Sequence, residues 1–118
     1  MRVAIIDIGS NSVLLLVGER ADSGWRILVD TARITRLGEG FSAEKMLQPQ
    51  AIERTLQAID EYLSICHALR VERVIAVATA VVREARNQEA FVDALRRRLP
   101  VSHADGFTSL PLPPQGAC

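Results

Sequence analysis

Asp7-Ile8-Gly9-Ser10-Asn11-Ser12 brings a carboxylate, a glycine and three small polar side chains into one short stretch. Gly9 lacks a Cβ, so its backbone is free to take φ > 0 and to approach a ligand closely. Ser10, Asn11 and Ser12 add side-chain donors beside backbone N–H groups, and successive N–H groups in such a turn form an anion-binding concavity. Asp7 stands at its mouth. A carboxylate repels a phosphate unless a divalent cation lies between them. Mg²⁺ accepts that arrangement, with one or two carboxylates completed by substrate oxygens. The chemistry suggested is a metal-assisted phosphate site. A hairpin turn of ordinary turn residues fits the same stretch equally well.

Further along, Thr79 and Arg83 follow the apolar run Arg73-Val74-Ile75-Ala76-Val77-Ala78. Ligands of open α/β sheets bind outside the carboxyl ends of strands, which puts both residues where a phosphate could be met. Arg83 would offer a fixed fork of donors to phosphate oxygens. Taken alone, a surface arginine paired with Glu84 or Glu89 is the simpler account. Arg36 and Glu39 lie in a loop marked by Gly38 and Gly40, and solvated loop charges are the simpler account there too. His67 at a helix end needs no role beyond the surface, and Arg96-Arg97-Arg98 complements the dipole of a helix's last turn.

The elements that must position these residues follow from periodicity. Residues 2–7 and 13–20 read as strands on either side of the polar turn. Ala21-Asp22-Ser23-Gly24 is a turn, and Trp25 to Leu37 reads as a third strand, with imperfect alternation at Thr31 and Ala32 that would accommodate a bulge. Pro49 opens a long helix, as proline does in a first turn. Ile52, Leu56, Ile59, Leu63 and Cys66 form its apolar stripe, with Tyr62 and His67 at the border. Residues 73–78 then read as a strand parallel to the first, and residues 88–99 as a second helix with Phe91, Leu95 and Leu99 on one side.

Composition narrows the class. The chain has 118 residues, 48% hydrophobic and 24% charged, with zero net charge at pH 7. That is an ordinary globular composition with no electrostatic case for nucleic acid or acidic membranes. No apolar run approaches the ~20 residues of a membrane helix. No leader is visible, since Asp7 interrupts the first apolar run. Cys66 and Cys118 have no metal or redox spacing, which implies a reducing, cytoplasmic setting. The end of the chain changes character: four of the five prolines lie from Pro100 onward, and Asp105 is the only charged residue after Arg98. Residues 100–118 therefore read as an irregular or disordered tail behind a domain of residues 1–99.

Three segments, Asp7–Ser12, Ile34-Thr35-Arg36-Leu37-Gly38-Glu39-Gly40 and Ala78-Thr79-Ala80-Val81-Val82-Arg83-Glu84-Ala85-Arg86-Asn87, occur here in the order and spacing of the exopolyphosphatase / guanosine pentaphosphate phosphohydrolase family. Leu47-Gln48-Pro49-Gln50-Ala51-Ile52-Glu53-Arg54-Thr55-Leu56 resembles it as well. The resemblance covers residues 1 to about 99. It implies an α/β, ribonuclease-H-like N-terminal domain, as in actin and the sugar and acetate kinases, with a cleft against a second domain. It also implies hydrolysis of the terminal phosphoanhydride bond of polyphosphate or guanosine pentaphosphate with Mg²⁺. Carried over by motif, Gly9, Ser10, Asn11 and Ser12 hold phosphate, Asp7 lies near the metal and Arg83 contacts the phosphate chain. Arg36 and Thr79 add contacts.

The resemblance stops short of a complete site. The family's Ser-Gly-x-x-Glu-Ala-like segment, with the glutamate thought to activate water, has no counterpart after Leu99, and neither has its second glycine-rich phosphate loop. His103 and Asp105 are the only late candidates for a base, and nothing places them, so no catalytic residue is assigned. The expectation is a truncated or frame-shifted chain, inactive alone, whose cleft a missing C-terminal domain or a second copy would complete. A non-catalytic phosphate-binding module, a fragment of a related sugar or acetate kinase, and a remnant without stable function are the alternatives.

Overall fold

Alternation of apolar side chains along the N-terminal segments builds the sheet from its middle outward. In the computed structural model, which describes residues 1–41, 43–99 and 107–111, the strands β1 (Arg2–Ile8), β2 (Ser12–Ala21) and β3 (Gly24–Ile34) form an antiparallel meander. Helix α1 (Pro49–Ala68) then crosses over to β4 (Arg73–Ala78), which pairs parallel to β1; a parallel pair needs such a crossover. A short helix α2 (Ala80–Glu84), helix α3 (Gln88–Arg98) and strand β5 (Phe107–Pro111) complete the order, and the sheet runs β3-β2-β1-β4-β5.

Ala4, Ile6 and Ile8 of β1 and Val13, Leu15 and Val17 of β2 all lie on one face of the sheet and are fully buried there. They meet Ile59, Tyr62, Leu63 and Cys66 of α1 and Phe91, Val92 and Leu95 of α3 in one core. Burying a side chain of this size contributes roughly 1.5–3 kcal/mol. The other face, where Val3, Ile5, Leu16, Gly18, Trp25, Ile27 and Ile75 line a groove of about 250 Å³, carries none of these helices.

Several sequence expectations shift. The buried stripe of α1 is Ala51, Thr55, Ala58, Ile59, Tyr62, Leu63 and Cys66, while Ile52 and Leu56 are only partly buried. Small residues let the helix approach the sheet, and Tyr62 enters the core because its hydroxyl donates to the Val13 carbonyl at 2.9 Å. The third strand ends at Ile34, not Leu37. The register shift falls between Val17 and Gly18, with Leu28 as the extra residue, rather than at Thr31 and Ala32, which pair regularly with Leu15 and Leu14. Within the span expected to be irregular, Phe107–Pro111 is a strand: the outer edge of β4 presents unpaired backbone groups, and β5 takes them in antiparallel register. The other residues of 100–118, including His103, Asp105 and Cys118, lie outside the described residues.

Candidate functional site

Parallel pairing puts the carboxyl ends of β1 and β4 side by side. Asp7 is opposite Val77 and Ile8 opposite Ala78, so the segments that leave the sheet, Gly9 onward and Thr79 onward, emerge at one edge. The Thr79 N–H donates to the Ile8 carbonyl at 3.1 Å and joins them directly. The loop after β3 arrives at the same place. Its Gly38 N–H donates to the Ser10 carbonyl at 2.9 Å, and the Thr35 and Arg36 N–H groups both donate to the Asn11 carbonyl at 3.0 Å. The three motif segments, distant in sequence, therefore converge on the turn between β1 and β2.

Two glycines make this convergence fit. A Cβ on Gly9 would stand 3.1 Å from the Ser12 carbonyl oxygen, to which the Gly9 N–H donates at 2.9 Å. Gly9 is not among the residues of positive φ, so close approach, not left-handed backbone, is what calls for glycine. A Cβ on Gly38 would stand 3.2 Å from Ser10 Cβ and 3.7 Å from Val81 Cγ2. Gly38 thus lets the turn, its loop and α2 touch.

The donors of the turn are oriented by this arrangement. In a trans peptide the N–H points opposite to the C=O. With the Ser10 and Asn11 carbonyls committed to the loop, the N–H groups of Asn11 and Ser12 are turned away from it. Among the described residues no hydrogen bond uses the N–H of Ser10 or Asn11, and both residues are exposed.

Asp7 is half-buried one residue before the buried Ile8, and by alternation shares a face with Val3 and Ile5, the face without helices. Arg83 is exposed at the end of α2, and its guanidinium reaches back to donate to the Ala78 carbonyl at 3.4 Å. It has no carboxylate partner among the described residues; Glu84 is instead 3.9 Å from Lys45 Nζ. Arg36 is exposed with φ of 51°, in the left-handed region. No group of three or more His, Cys, Asp or Glu side chains gathers to hold a metal among the described residues. A lone half-buried aspartate still fits Mg²⁺, which keeps several waters and takes substrate oxygens.

A model of the Ppx/GppA phosphatase family matches residues 15–103. The chain belongs to the Ppx/GppA phosphatase family. It is 38% identical to exopolyphosphatase 2 of Mycobacterium tuberculosis, over 91% of this chain and 36% of that protein. A solved Ppx/GppA family member from Aquifex aeolicus superposes with a TM-score of 0.80 at 41% identity, over 84% of this chain and 32% of that one. An exopolyphosphatase from Cytophaga hutchinsonii gives a TM-score of 0.81 at 25% identity, over 85% and 32%. This family member thus spans about a third of the length of the relatives it matches, and it has their α/β, ribonuclease-H-like N-terminal fold.

Sequence reasoning missed two residues that hold this edge together. Asn87 clamps the backbone of Leu47, accepting from its N–H and donating to its carbonyl, both at 2.9 Å. Arg54 of α1 donates to the Thr35 carbonyl at 3.0 Å. Both stood inside segments that resemble the family, Asn87 at the end of Ala78–Asn87 and Arg54 within Leu47–Leu56, but no local pattern gave either side chain a role.

Proposed function

We propose that the chain is the phosphate-holding half of a phosphoanhydride hydrolase site, which takes the end of polyphosphate or guanosine pentaphosphate. The observation that carries this reading is the convergence of the Gly9–Ser12 turn, the Arg36–Gly38 loop and the Thr79–Arg83 segment at one sheet edge. The N–H groups of the turn would receive phosphate oxygens, with Gly9, Ser10, Asn11 and Ser12 as the cradle. Arg83, without a carboxylate partner among the described residues, would add its fork, and Thr79 and Arg36 would lie within reach. Asp7 would hold Mg²⁺, which supplies neutralising charge to the phosphate oxygens when bound. Phosphoryl transfer rests on such neutralisation and on in-line positioning of the nucleophile.

Orienting and deprotonating water needs a further group within hydrogen-bond reach. Asp7 is committed to the cation in this reading, and Glu39 is paired with Arg54. Alone, the chain therefore binds but releases little or no phosphate. We place it in a reducing, cytoplasmic setting, in keeping with the buried free thiol of Cys66.

The test is calorimetric titration of the 118-residue chain with tripolyphosphate and Mg²⁺, beside a phosphate-release assay on long-chain polyphosphate. Binding that weakens at least about tenfold in both Arg83→Ala and Asp7→Asn, without release, is the expected result. A folded wild-type chain that does not bind overturns the phosphate reading. Release that disappears in Asp7→Asn overturns the restriction to half a site.

A further inference from the structure

We infer that Arg54 is a positioning residue that sets the direction of the turn's N–H donors from a distance, an inference that rests on the phosphate reading above for its functional consequence. Arg54 lies in the second turn of α1, and its guanidinium spans three acceptors of one loop. Nε donates to the Thr35 carbonyl at 3.0 Å, while Nη2 donates to the Arg36 carbonyl at 3.4 Å and to Glu39 Oε1 at 3.3 Å. The same residues face the other way with their N–H groups: Thr35 and Arg36 donate to the Asn11 carbonyl at 3.0 Å, and two residues on Gly38 donates to the Ser10 carbonyl at 2.9 Å. The loop is thus a relay one residue thick, clamped by a helix arginine on its carbonyl side and gripping the turn on its N–H side.

Two features say that this loop does not hold its shape by preference. Arg36 has φ of 51°, a conformation that costs a residue with a Cβ. The Thr35 hydroxyl is buried with no hydrogen-bond partner among the described residues, which is a further cost. Backbone in such a state persists only where its surroundings over-determine it. The Arg54–Glu39 ion pair does not supply this, since both side chains are well exposed, 40% and 51%, and such pairs contribute little. The carbonyl bonds supply it. A planar guanidinium can serve two successive carbonyls and a carboxylate at once, whereas an ammonium on a flexible stem is not pre-organised to do so.

The chain of consequence then runs through peptide geometry. If the loop relaxes, the Ser10 and Asn11 carbonyls lose their donors, the two peptide planes are free to turn, and the Asn11 and Ser12 N–H groups lose a fixed direction. Arg54 touches no ligand in this scheme; it pre-organises donors that would, which is how distant groups raise affinity.

Amide hydrogen exchange and ¹⁵N-edited spectra of the full chain test this, with Arg54→Gln and Arg54→Lys beside the wild type. In Arg54→Gln the amides of Thr35, Arg36 and Gly38 exchange at least about tenfold faster, and the Asn11 and Ser12 resonances move without any ligand. The amides of Ile6 and Leu15 in the sheet keep their wild-type rates. Tripolyphosphate affinity in the presence of Mg²⁺ falls about tenfold, with Arg54→Lys between the two. Unchanged exchange at Thr35, Arg36 and Gly38, or an equal acceleration at Ile6 and Leu15, overturns the inference. Full wild-type exchange and affinity in Arg54→Lys also overturns it, and that variant decides the matter if Arg54→Gln does not fold. A wild-type chain that fails to bind tripolyphosphate defeats the phosphate reading separately, while the exchange rates still decide whether Arg54 directs the turn.

Discussion

The two faces of the sheet are similarly apolar and differently treated. On one, Ile6, Ile8, Leu15 and Phe91 are all at 1% exposure or less, packed between strands and helices. On the other, Ile5 is 37%, Trp25 54% and Ile27 54% exposed along an apolar groove. Strands that read as nearly continuous apolar runs are the mark of a sheet covered on both sides, and Val3-Ala4-Ile5-Ile6 is such a run. The contrast teaches where this chain's stability resides. The strand sequences are written for two layers of cover, the described helices provide one, and the energetic weight of each strand is carried by every second residue. Asp7, the proposed cation holder, stands on the lightly used face, so substitutions there probe function with little disturbance of the core.

The largest effect that would sharpen the comparison is expected at Phe91→Ala. Phe91 of α3 is fully buried in the core on the covered face, and its truncation should cost about 3–5 kcal/mol in urea denaturation, by lost burial plus a cavity. A cost under about 1 kcal/mol would break the claim that the covered face holds the fold. Next comes a pH dependence seated on the same face. Burial pushes the Cys66 thiol from its ordinary value near 9 up to about 11, and burial raises the Tyr62 hydroxyl as well. A raised folded pKa means that the unfolded chain releases these protons first. The native state then holds more protons than the unfolded state, and stability falls with rising pH. The stabilisation is complete below about pH 9 and declines toward pH 11 for Cys66, by on the order of 2 kcal/mol. Melting temperatures across that window measure it, and the slope should shrink in Cys66→Ala. Tyr62→Phe should cost about 1 kcal/mol, because it removes the hydroxyl's bond to the Val13 carbonyl, which keeps only its strand partner Arg33.

Tyr62 also marks where the sequence stopped being readable. Strands β1 to β4, the parallel return and both long helices were legible because their apolar residues recur at periods of two and of three to four or gather in short runs, whereas β5 fell in a span that read as irregular. The rotation of α1 was not, because Ala51, Thr55 and Ala58 are small and weakly apolar, yet they form the contact surface. Helix α2 has five residues, too few for a period to register. The end of α1 was hidden for another reason. Arg70 takes the left-handed position with φ of 56°, while Arg70 and Val71 return their N–H groups to the His67 and Cys66 carbonyls at 3.1 and 2.9 Å. This is a closure usually signalled by glycine. At the candidate site, the three motif segments were recognisable as strings, and strand order explains why they meet. The bonds that orient them were not recognisable: a side chain of α1 reaching loop carbonyls eighteen and nineteen residues away leaves no local pattern.

The smallest expected effect lies on the uncovered face, and it is the one that most directly sets the two faces apart. Ile5→Thr combined with Ile27→Thr keeps β-branched residues that suit a strand and removes two apolar side chains from the groove. Since both are already more than a third exposed, unfolding free energy should change by no more than about 0.5 kcal/mol each. The surface should nevertheless change its behaviour, because a contiguous apolar patch promotes association where scattered apolar residues do not. Light scattering of the double variant at high concentration should show less self-association than the wild type, with an unaltered urea midpoint. A large loss of stability would instead mean that these side chains are buried in the native chain in solution, by its own later residues or by another copy. The two faces would then be equals.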